Sequence, residues 1–191
     1  CDCEGTLPNS CWDGSSSCEV CPDAPANYPD WDLNADGVLD NFNDYENNGS
    51  ITSRVYDADG NDISSMGDMV AAFVGSEQRG VGVASEVPAF LGGGYAFLMM
   101  LYSNETSGEI LSFKYYNSET DEVFDLSETI EFVTNMVEGD VTNPFVLTLS
   151  GDTVELTINF SPNWNWFSVN AIQDNMAINS AFSGLPAQPN D

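Results

Sequence analysis

Residues 95–116 read YAFLMMLYSNETSGEILSFKYY, and this stretch decides the fold class. Residues 95–102 are apolar on both alternating faces, which predicts a central strand that is buried on both sides of a sheet. Residues 104–108 have the polar and glycine composition of a turn. After that turn, Leu111, Phe113 and Tyr115 fall on one face of a second strand. The stretch therefore predicts two strands joined by a turn.

Short apolar segments separated by turn residues recur along the chain at the spacing that is typical of all-β proteins. Further candidate strands cover residues 51–56, 68–74, 79–84, 129–133 and 145–149. The alternation is clearest in residues 153–160, where one face carries Val154, Leu156, Ile158 and Phe160. No segment shows a long helical period. We therefore expect an all-β fold, an antiparallel β-sandwich of the jelly-roll-like or Ig-like kind.

The charge of the chain limits its partners. Lys and Arg together number 3 and Asp and Glu number 31, so the net charge is −28. This field repels nucleic acid and anionic membranes, which argues against polyanion binding as a main role. It also favours a saline, calcium-containing environment, because salt and divalent cations relieve the self-repulsion. The absence of histidine removes the commonest general base, and no carboxylate pair stands out as catalytic, so we do not expect an enzyme.

All the cysteines lie near the beginning of the sequence: Cys1, Cys3, Cys11, Cys18 and Cys21. Their clustering in a Gly/Ser/Asp-rich stretch predicts a small disulfide-stapled cap and an oxidising compartment. A zinc site is the weaker alternative, since the spacing does not supply two paired thiolate motifs. The odd cysteine leaves three interpretations of Cys1: a lipid-modified N-terminal cysteine, a partner for another chain, or the arbitrary start of a longer protein.

Residues 30–44, DWDLNADGVLDNFND, have the spacing of a calcium-binding loop. Counting from Asp32, the side-chain ligands at positions 1, 3, 5 and 9 are Asp32, Asn34, Asp36 and Asp40. Gly37 occupies position 6, where the sharp turn needs a residue without Cβ. Ca²⁺ takes six to eight oxygen ligands, and alternate residues of a tight loop can point their oxygens inward. The pattern predicts calcium as a bound metal.

The end of this loop departs from the usual pattern. Val38 at position 7 would contribute its backbone carbonyl, as expected. Position 12 usually supplies a bidentate carboxylate, but here it is Asn43, and Asp44 comes one residue later. Either Asp44 reaches into the site or calcium binds weakly. A weak site suits millimolar extracellular calcium better than a sensing role, and a solvated acidic turn is the simpler alternative.

A series of short motifs follows the calcium segment: MVAAFVG at 69–75, RGV at 79–81, the pair at 95–102 and 108–116, FDLSET at 124–129, NPF at 143–145 and WNWFSVN at 164–170. Together they resemble the β-sandwich repeat modules of large secreted or cell-surface proteins of marine bacteria. CDCEG at residues 1–5 is similar to the cysteine-rich units of such proteins, and the acidic loop resembles a dockerin or thrombospondin type 3 loop. The resemblance implies extracellular display, adhesion or assembly rather than a reaction.

The C-terminal region has two interpretations. Trp164, Trp166 and Phe167 belong either to a strand that completes a neighbouring subunit or to a cap on the core of this domain. The tryptophans, together with Trp31, also allow a carbohydrate-binding module, because flat aromatic rings stack on sugars.

The sequence divides into four predicted regions: a cysteine-rich cap at 1–28, a calcium-binding segment at 29–49, a β-sandwich at 50–160 and a C-terminal strand or extension at 161–191. The extension is a candidate for subunit contacts, with a cap on the domain's own core as the alternative. We expect an extracellular or cell-surface structural or adhesive protein that self-associates into a fibre or filament. A carbohydrate-binding module with a glycan partner is the alternative. No run of apolar residues is long enough to span a membrane, although a lipid anchor at Cys1 remains open.

Overall fold

The structure, a computed structural model, describes residues 9–12, 15–17 and 23–150. Two short strands, β1 (Asn9–Ser10) and β2 (Ser16–Ser17), pair antiparallel. The remaining strands are β3 (Asn47–Tyr56), β4 (Met69–Val74), β5 (Glu77–Glu86), β6 (Tyr95–Ser103), β7 (Ser107–Asn117), β8 (Glu122–Val133), β9 (Val137–Glu138) and β10 (Phe145–Thr148). Helical structure in the described part of the chain is limited to two 3₁₀ turns, Phe42–Asp44 and Ala89–Leu91. The all-β expectation is confirmed.

The larger sheet has eight strands in the order β10-β3-β6-β5-β4-β7-β8, with β9 also paired to β3. It curls, and its end strands approach each other where Leu126 and Leu149 form an isolated antiparallel bridge. The expected purely antiparallel pairing is wrong at one edge, because β9 and β10 both run parallel to β3. One side of β3 is hydrogen-bonded to β6, and the chain that follows β8 supplies partners for its other side. A separate two-layer sandwich is not confirmed.

The main core fills the inside of the curled sheet. It contains side chains from most of the long strands: Ile51, Val55, Val70, Ala72, Phe97, Met99, Leu101, Leu111, Phe113, Tyr115, Leu126, Phe132 and Leu147. The predicted inward face of β7 is therefore confirmed. The prediction for β6 is wrong on one face, since Leu98 is 53% exposed and Met100 is 40% exposed.

The strand that is buried on both faces is β4. Val70 and Ala72 face the main core, whereas Met69, Ala71 and Phe73 belong to a second apolar cluster. The residues that share this second cluster are Trp31, Val81 and Tyr116, with Tyr28 and Val83 partly buried beside them. The chain before β3 thus covers the outer face of β4, which buries the strand from both sides.

Strand β5 changes its pairing partner along its length. Its first part pairs with β4, and residues 84–86 pair with β6. The backbones of β5 and β6 approach so closely that a Cβ on Gly80 would lie 2.4 Å from the Met100 carbonyl oxygen. A Cβ on Gly82 would lie 3.2 Å from that of Met99. The glycines in the sequence RGVGV are therefore required by the close packing of two strands.

Candidate functional site

The predicted calcium loop is a tight turn closed by its own carboxylates. Asp32 accepts hydrogen bonds from the backbone N–H groups of Asp36 (3.1 Å) and Gly37 (2.7 Å). The amide N–H of Leu33 donates to Asp40 Oδ2 at 3.2 Å. Gly37 has a φ of 76°, as the predicted turn at position 6 requires. The structure therefore brings the residues of positions 1, 5, 6 and 9 into one turn.

The middle of the loop is held by further short contacts. The Asn34 side chain accepts from the backbone N–H of Asp36 at 3.1 Å and donates to Asp36 Oδ2 at 3.1 Å. The Val38 N–H donates to Asp36 Oδ1 at 2.8 Å. Leu39 is 3% exposed, so this apolar side chain of the loop is buried against the protein. Asn43 and Asp44 lie in the 3₁₀ turn Phe42–Asp44 with exposed side chains.

Asp32 is the buried carboxylate of the loop. Its side chain is 2% exposed, and burial raises its pKa above the ordinary value, assisted by the charges of Asp36 and Asp40. The two backbone N–H bonds act in the opposite direction. The sequence has three basic side chains, and each pairs elsewhere: Arg54 with Asp62, Arg79 with Glu109 and Lys114 with Asp125. The negative charge at Asp32 therefore lacks a basic side-chain partner.

The donor set fits a hard divalent cation, because it consists of carboxylate and amide oxygens around a buried carboxylate. Within residues 9–12, 15–17 and 23–150, however, no three His, Cys, Asp or Glu side chains are arranged closely enough to hold a metal ion. The oxygens of Asp32, Asn34 and Asp36 face the N–H groups of the loop. The complete ligand set, including Asp40, Asn43, Asp44 and the Val38 carbonyl, stays a prediction.

Both ends of the acidic loop are anchored to the beginning of β5. On the N-terminal side, Gln78 Nε2 donates to the Trp31 carbonyl oxygen at 2.8 Å. On the C-terminal side, the Tyr45 hydroxyl donates to Glu77 Oε1 at 2.9 Å and to the Gln78 carbonyl at 3.2 Å. Trp31 is 9% exposed and packs edge-to-face on Phe73, with ring centroids 6.0 Å apart. Trp31 is thus a core residue, which removes it from the predicted sugar-stacking surface.

A buried cation reinforces the C-terminal anchor. The Arg79 guanidinium lies 4.9 Å from the centroid of the Tyr45 ring and donates to Glu109 Oε1 at 2.8 Å. Glu109 in turn accepts a hydrogen bond from the fully buried Ser103 hydroxyl at 2.5 Å. Charged hydrogen bonds of this kind are among the stronger polar interactions in proteins. The Arg79–Glu109 pair therefore fixes β5 to β7 beside the loop.

Sequence reasoning missed a second buried carboxylate, Asp68. It is 0% exposed, and its oxygens accept from the Tyr115 hydroxyl at 2.6 Å and the Ser65 N–H at 2.7 Å. They also accept from the N–H and the hydroxyl of Ser118, each at 2.9 Å. Two of these partners lie 47 and 50 residues further along the chain, so no local pattern could reveal them.

Several predicted site residues lie outside the described part of the structure. These are Cys1, Cys3, Cys18, Cys21, Trp164, Trp166 and Phe167. Cys11 is described and is 2% exposed. The disulfide pairing of the cap and the predicted assembly surface therefore stay predictions.

Comparison with known proteins adds no relative: no family model, no curated protein and no solved structure matches this chain. Within residues 9–12, 15–17 and 23–150, the structure contains no helix of the length and apolarity that a membrane crossing requires.

Proposed function

We propose that this chain is an extracellular structural or adhesive protein, a subunit that assembles with copies of itself into a surface fibre or filament. Calcium at the acidic loop and disulfides in the cap stabilise it. The observation that carries the proposal is that the loop is tied at both ends to the start of β5, through Trp31 and Tyr45. Such a loop is a brace for the sheet.

Calcium binding to this brace is coupled to the stability of the fold. The loop connects Trp31, which belongs to the second core, to Tyr45, which is held by Glu77. Burial, and to a smaller extent the charges of Asp36 and Asp40, raise the pKa of Asp32. A divalent cation would neutralise this buried negative charge and would hold the loop oxygens in one arrangement. A ligand that binds only the folded chain stabilises it by mass action. The role of calcium is therefore structural.

The extracellular location follows from charge and cysteine content. A net charge of −28 is tolerated best in salt and divalent cations, and calcium is abundant outside cells. Burial of Cys11 beside the β1–β2 pair supports a disulfide-stapled cap formed in an oxidising compartment. Lipid modification of Cys1 remains part of the proposal as a route to surface anchoring.

The outer face of β6 offers a surface for self-association. Leu98 and Met100 are exposed there, and their cross-strand neighbours on β3 are Thr52 and Ser50. These four side chains form an uncharged patch in a chain with 31 acidic residues. Contact between copies would cover the apolar side chains, and bound calcium would weaken the repulsion between the acidic subunits. The extension at 161–191, with Trp164 and Trp166, is the predicted second contributor.

The calcium part of the proposal is tested by thermal unfolding of the full chain in millimolar calcium and in EDTA. We expect calcium to raise the melting temperature and to protect residues 29–49 from proteolysis. The double variant Asp32→Asn/Asp36→Asn should lose this response, whereas the control Asp59→Asn, in an exposed turn, should keep it. Equal melting temperatures and equal proteolysis in calcium and EDTA would refute the calcium brace.

The assembly part is tested by electron microscopy and light scattering of the purified protein in calcium. We expect filaments or large oligomers, and we expect fewer of them for Leu98→Lys/Met100→Lys and for a chain lacking residues 161–191. Phe90→Lys is the control, because Phe90 is 85% exposed in the 3₁₀ turn Ala89–Leu91 and lies outside the patch. A wild-type chain that remains monomeric at every calcium concentration contradicts self-assembly.

A further inference from the structure

A cavity of about 470 Å³ lies between the chain before β3 and the sheet. Three of the side chains that line it are aromatic: Trp12, Tyr28 and Tyr116. The Tyr28 ring is central, with its centroid 4.8 Å from that of Trp12 and 5.4 Å from that of Tyr116. The interplanar angles are 64° and 81°, so both neighbouring rings pack edge-to-face with the Tyr28 ring.

Two buried carboxylates line the same cavity, Asp32 at 2% exposure and Asp68 at 0%. The lining includes no lysine or arginine, and the three basic side chains of the chain are paired elsewhere, with Asp62, Glu109 and Asp125. The cavity therefore combines aromatic walls with negative charge that has no basic side-chain partner. The hydrogen bonds to Asp32 and Asp68 come from neutral donors, which leave the net charge in place.

This combination selects the chemical class of a ligand. An anionic ligand is repelled by both carboxylates and by the net charge of −28. A bare divalent cation seeks oxygen ligands and gains little from aromatic walls and methionine side chains. An organic cation interacts favourably with both kinds of group, because aromatic faces attract positive charge and the carboxylates neutralise it. A cavity of 470 Å³ is within the usual size range for small-molecule sites.

We propose that this cavity binds a small quaternary ammonium compound, with Trp12 and Tyr28 as the aromatic walls and Tyr116 packed behind Tyr28. The buried carboxylates of Asp32 and Asp68 are the counter-charges, and they act from beneath the cavity surface. This site is separate from the proposed assembly surface on β6. It shares Asp32 with the proposed calcium loop, so binding is measured both in calcium and in EDTA.

The methionines allow a site-specific test. Met66 and Met69 line the cavity, whereas Met99 and Met100 lie on β6. The full chain, labelled with ¹³C at the methionine methyl groups, is titrated with choline chloride and followed by NMR, with sodium chloride at matched ionic strength as the salt control. In the calcium buffer, the EDTA buffer or both, we expect choline to cause saturable changes in the methyl chemical shifts of Met66 and Met69. The methyl groups of Met99 and Met100 should show no saturable change in either buffer.

A neutral isostere of choline separates the contribution of the ligand's positive charge from that of its shape. The compound 3,3-dimethylbutan-1-ol replaces the ammonium nitrogen of choline by carbon and keeps the shape. Because cation–π and ionic contacts in a desolvated site contribute about 1–2 kcal/mol, we expect the isostere to bind roughly tenfold more weakly or worse. Equal affinity for the two compounds would show an unselective apolar cavity and overturn the proposal. Shifts at Met66 and Met69 with calcium alone and none with choline would also overturn it.

Variants locate the site. Tyr28→Leu removes the central ring and should weaken choline binding about tenfold, whereas Tyr116→Phe keeps a ring and should retain binding. Phe90→Leu, outside the cavity, is the matched control. If Tyr28→Leu disturbs folding, which the Met99 and Met100 resonances would report, Trp12→Leu takes its place. Undiminished choline binding by the folded variant contradicts the proposed site.

Discussion

The Gln78 side chain donates a hydrogen bond of 2.8 Å to the carbonyl oxygen of Trp31, a residue 47 positions earlier in the chain. This contact joins the segment before the acidic loop to the first residues of β5. It places the Trp31 ring against Phe73 in the second apolar cluster. The acidic loop therefore rests on the sheet, and its position depends on a distant strand although its sequence pattern is local.

Replacing Gln78 by alanine should destabilise the protein by about 1–3 kcal/mol, because the Trp31 carbonyl loses its partner in a largely buried setting. If calcium stabilises the loop as proposed, the loss should also lower that stabilisation, since one end of the loop is released. Chemical denaturation in calcium and in EDTA measures both effects. Ser76→Ala, in the neighbouring exposed turn, is the control. A variant with unchanged stability would show that the anchor is unimportant.

The Asp68 network should be a strong determinant of stability. Asp68→Ala leaves the Tyr115 hydroxyl and the N–H groups of Ser65 and Ser118 without their acceptor, and we expect a loss of about 3 kcal/mol or more. Tyr115→Phe removes only the contacts of one hydroxyl, with Asp68, the Ile63 carbonyl and the Asn117 amide, and leaves Ser65 and Ser118 bonded to Asp68. It should therefore cost less, about 1 kcal/mol. Urea denaturation compares the two variants. A cost for Asp68→Ala no greater than that for Tyr115→Phe would contradict a cooperative network.

The glycines of β5 should tolerate alanine unequally. At Gly80 the added Cβ meets the Met100 backbone oxygen at 2.4 Å, and a backbone atom can move only if the strand moves. At Gly82 the nearest atom is the Cβ of Met99 at 3.2 Å. We expect Gly80→Ala to cost about 1–3 kcal/mol and Gly82→Ala to cost less. Thermal unfolding of both variants checks the order, and the reverse order would refute the proposed strand contact.

Alkaline pH should unfold the protein through its buried tyrosines. Burial and the neighbouring Asp121 raise the pKa of Tyr116 to about 12, and burial with the Asp68 hydrogen bond raises the pKa of Tyr115 still further. The protonated hydroxyls therefore stabilise the fold fully below the ordinary tyrosine pKa of 10, and this contribution is lost as pH rises through the folded-state values.

Absorbance at 295 nm and circular dichroism, recorded together against pH, measure this effect. We expect the two buried tyrosines to ionise only as the circular dichroism signal is lost, in a transition above pH 10. In Tyr116→Phe, the stability should depend less on pH between 10 and 12, because one shifted group is absent. Full ionisation of all tyrosines near pH 10 with the fold intact would contradict the burial of Tyr115 and Tyr116.

Much of the strand content was predictable because side-chain alternation is a local signal. Residues 51–56, 79–84, 95–102 and 145–149 were predicted as strands, and β3, β5, β6 and β10 occupy them with shifts at their ends. The first half of β8 was missed. It is an edge strand, and polar residues such as Asp125 and Glu128 obscure its apolar face. The acidic loop was recognisable because its ligand positions are fixed by spacing within one short turn.

The amino-acid sequence by itself determined the all-β class, the position of the acidic loop and the unbalanced charge, since each depends on composition or on neighbours a few residues apart. Only the tertiary structure decided which strand is buried on both faces. Local hydrophobicity favoured β6, but the segment containing Trp31 covers β4 and leaves Leu98 on β6 exposed. The parallel pairing of β10 with β3 and the burial of Asp68 likewise depend on contacts between distant segments, because the partners meet only when β10 pairs with β3 and β4 pairs with β7.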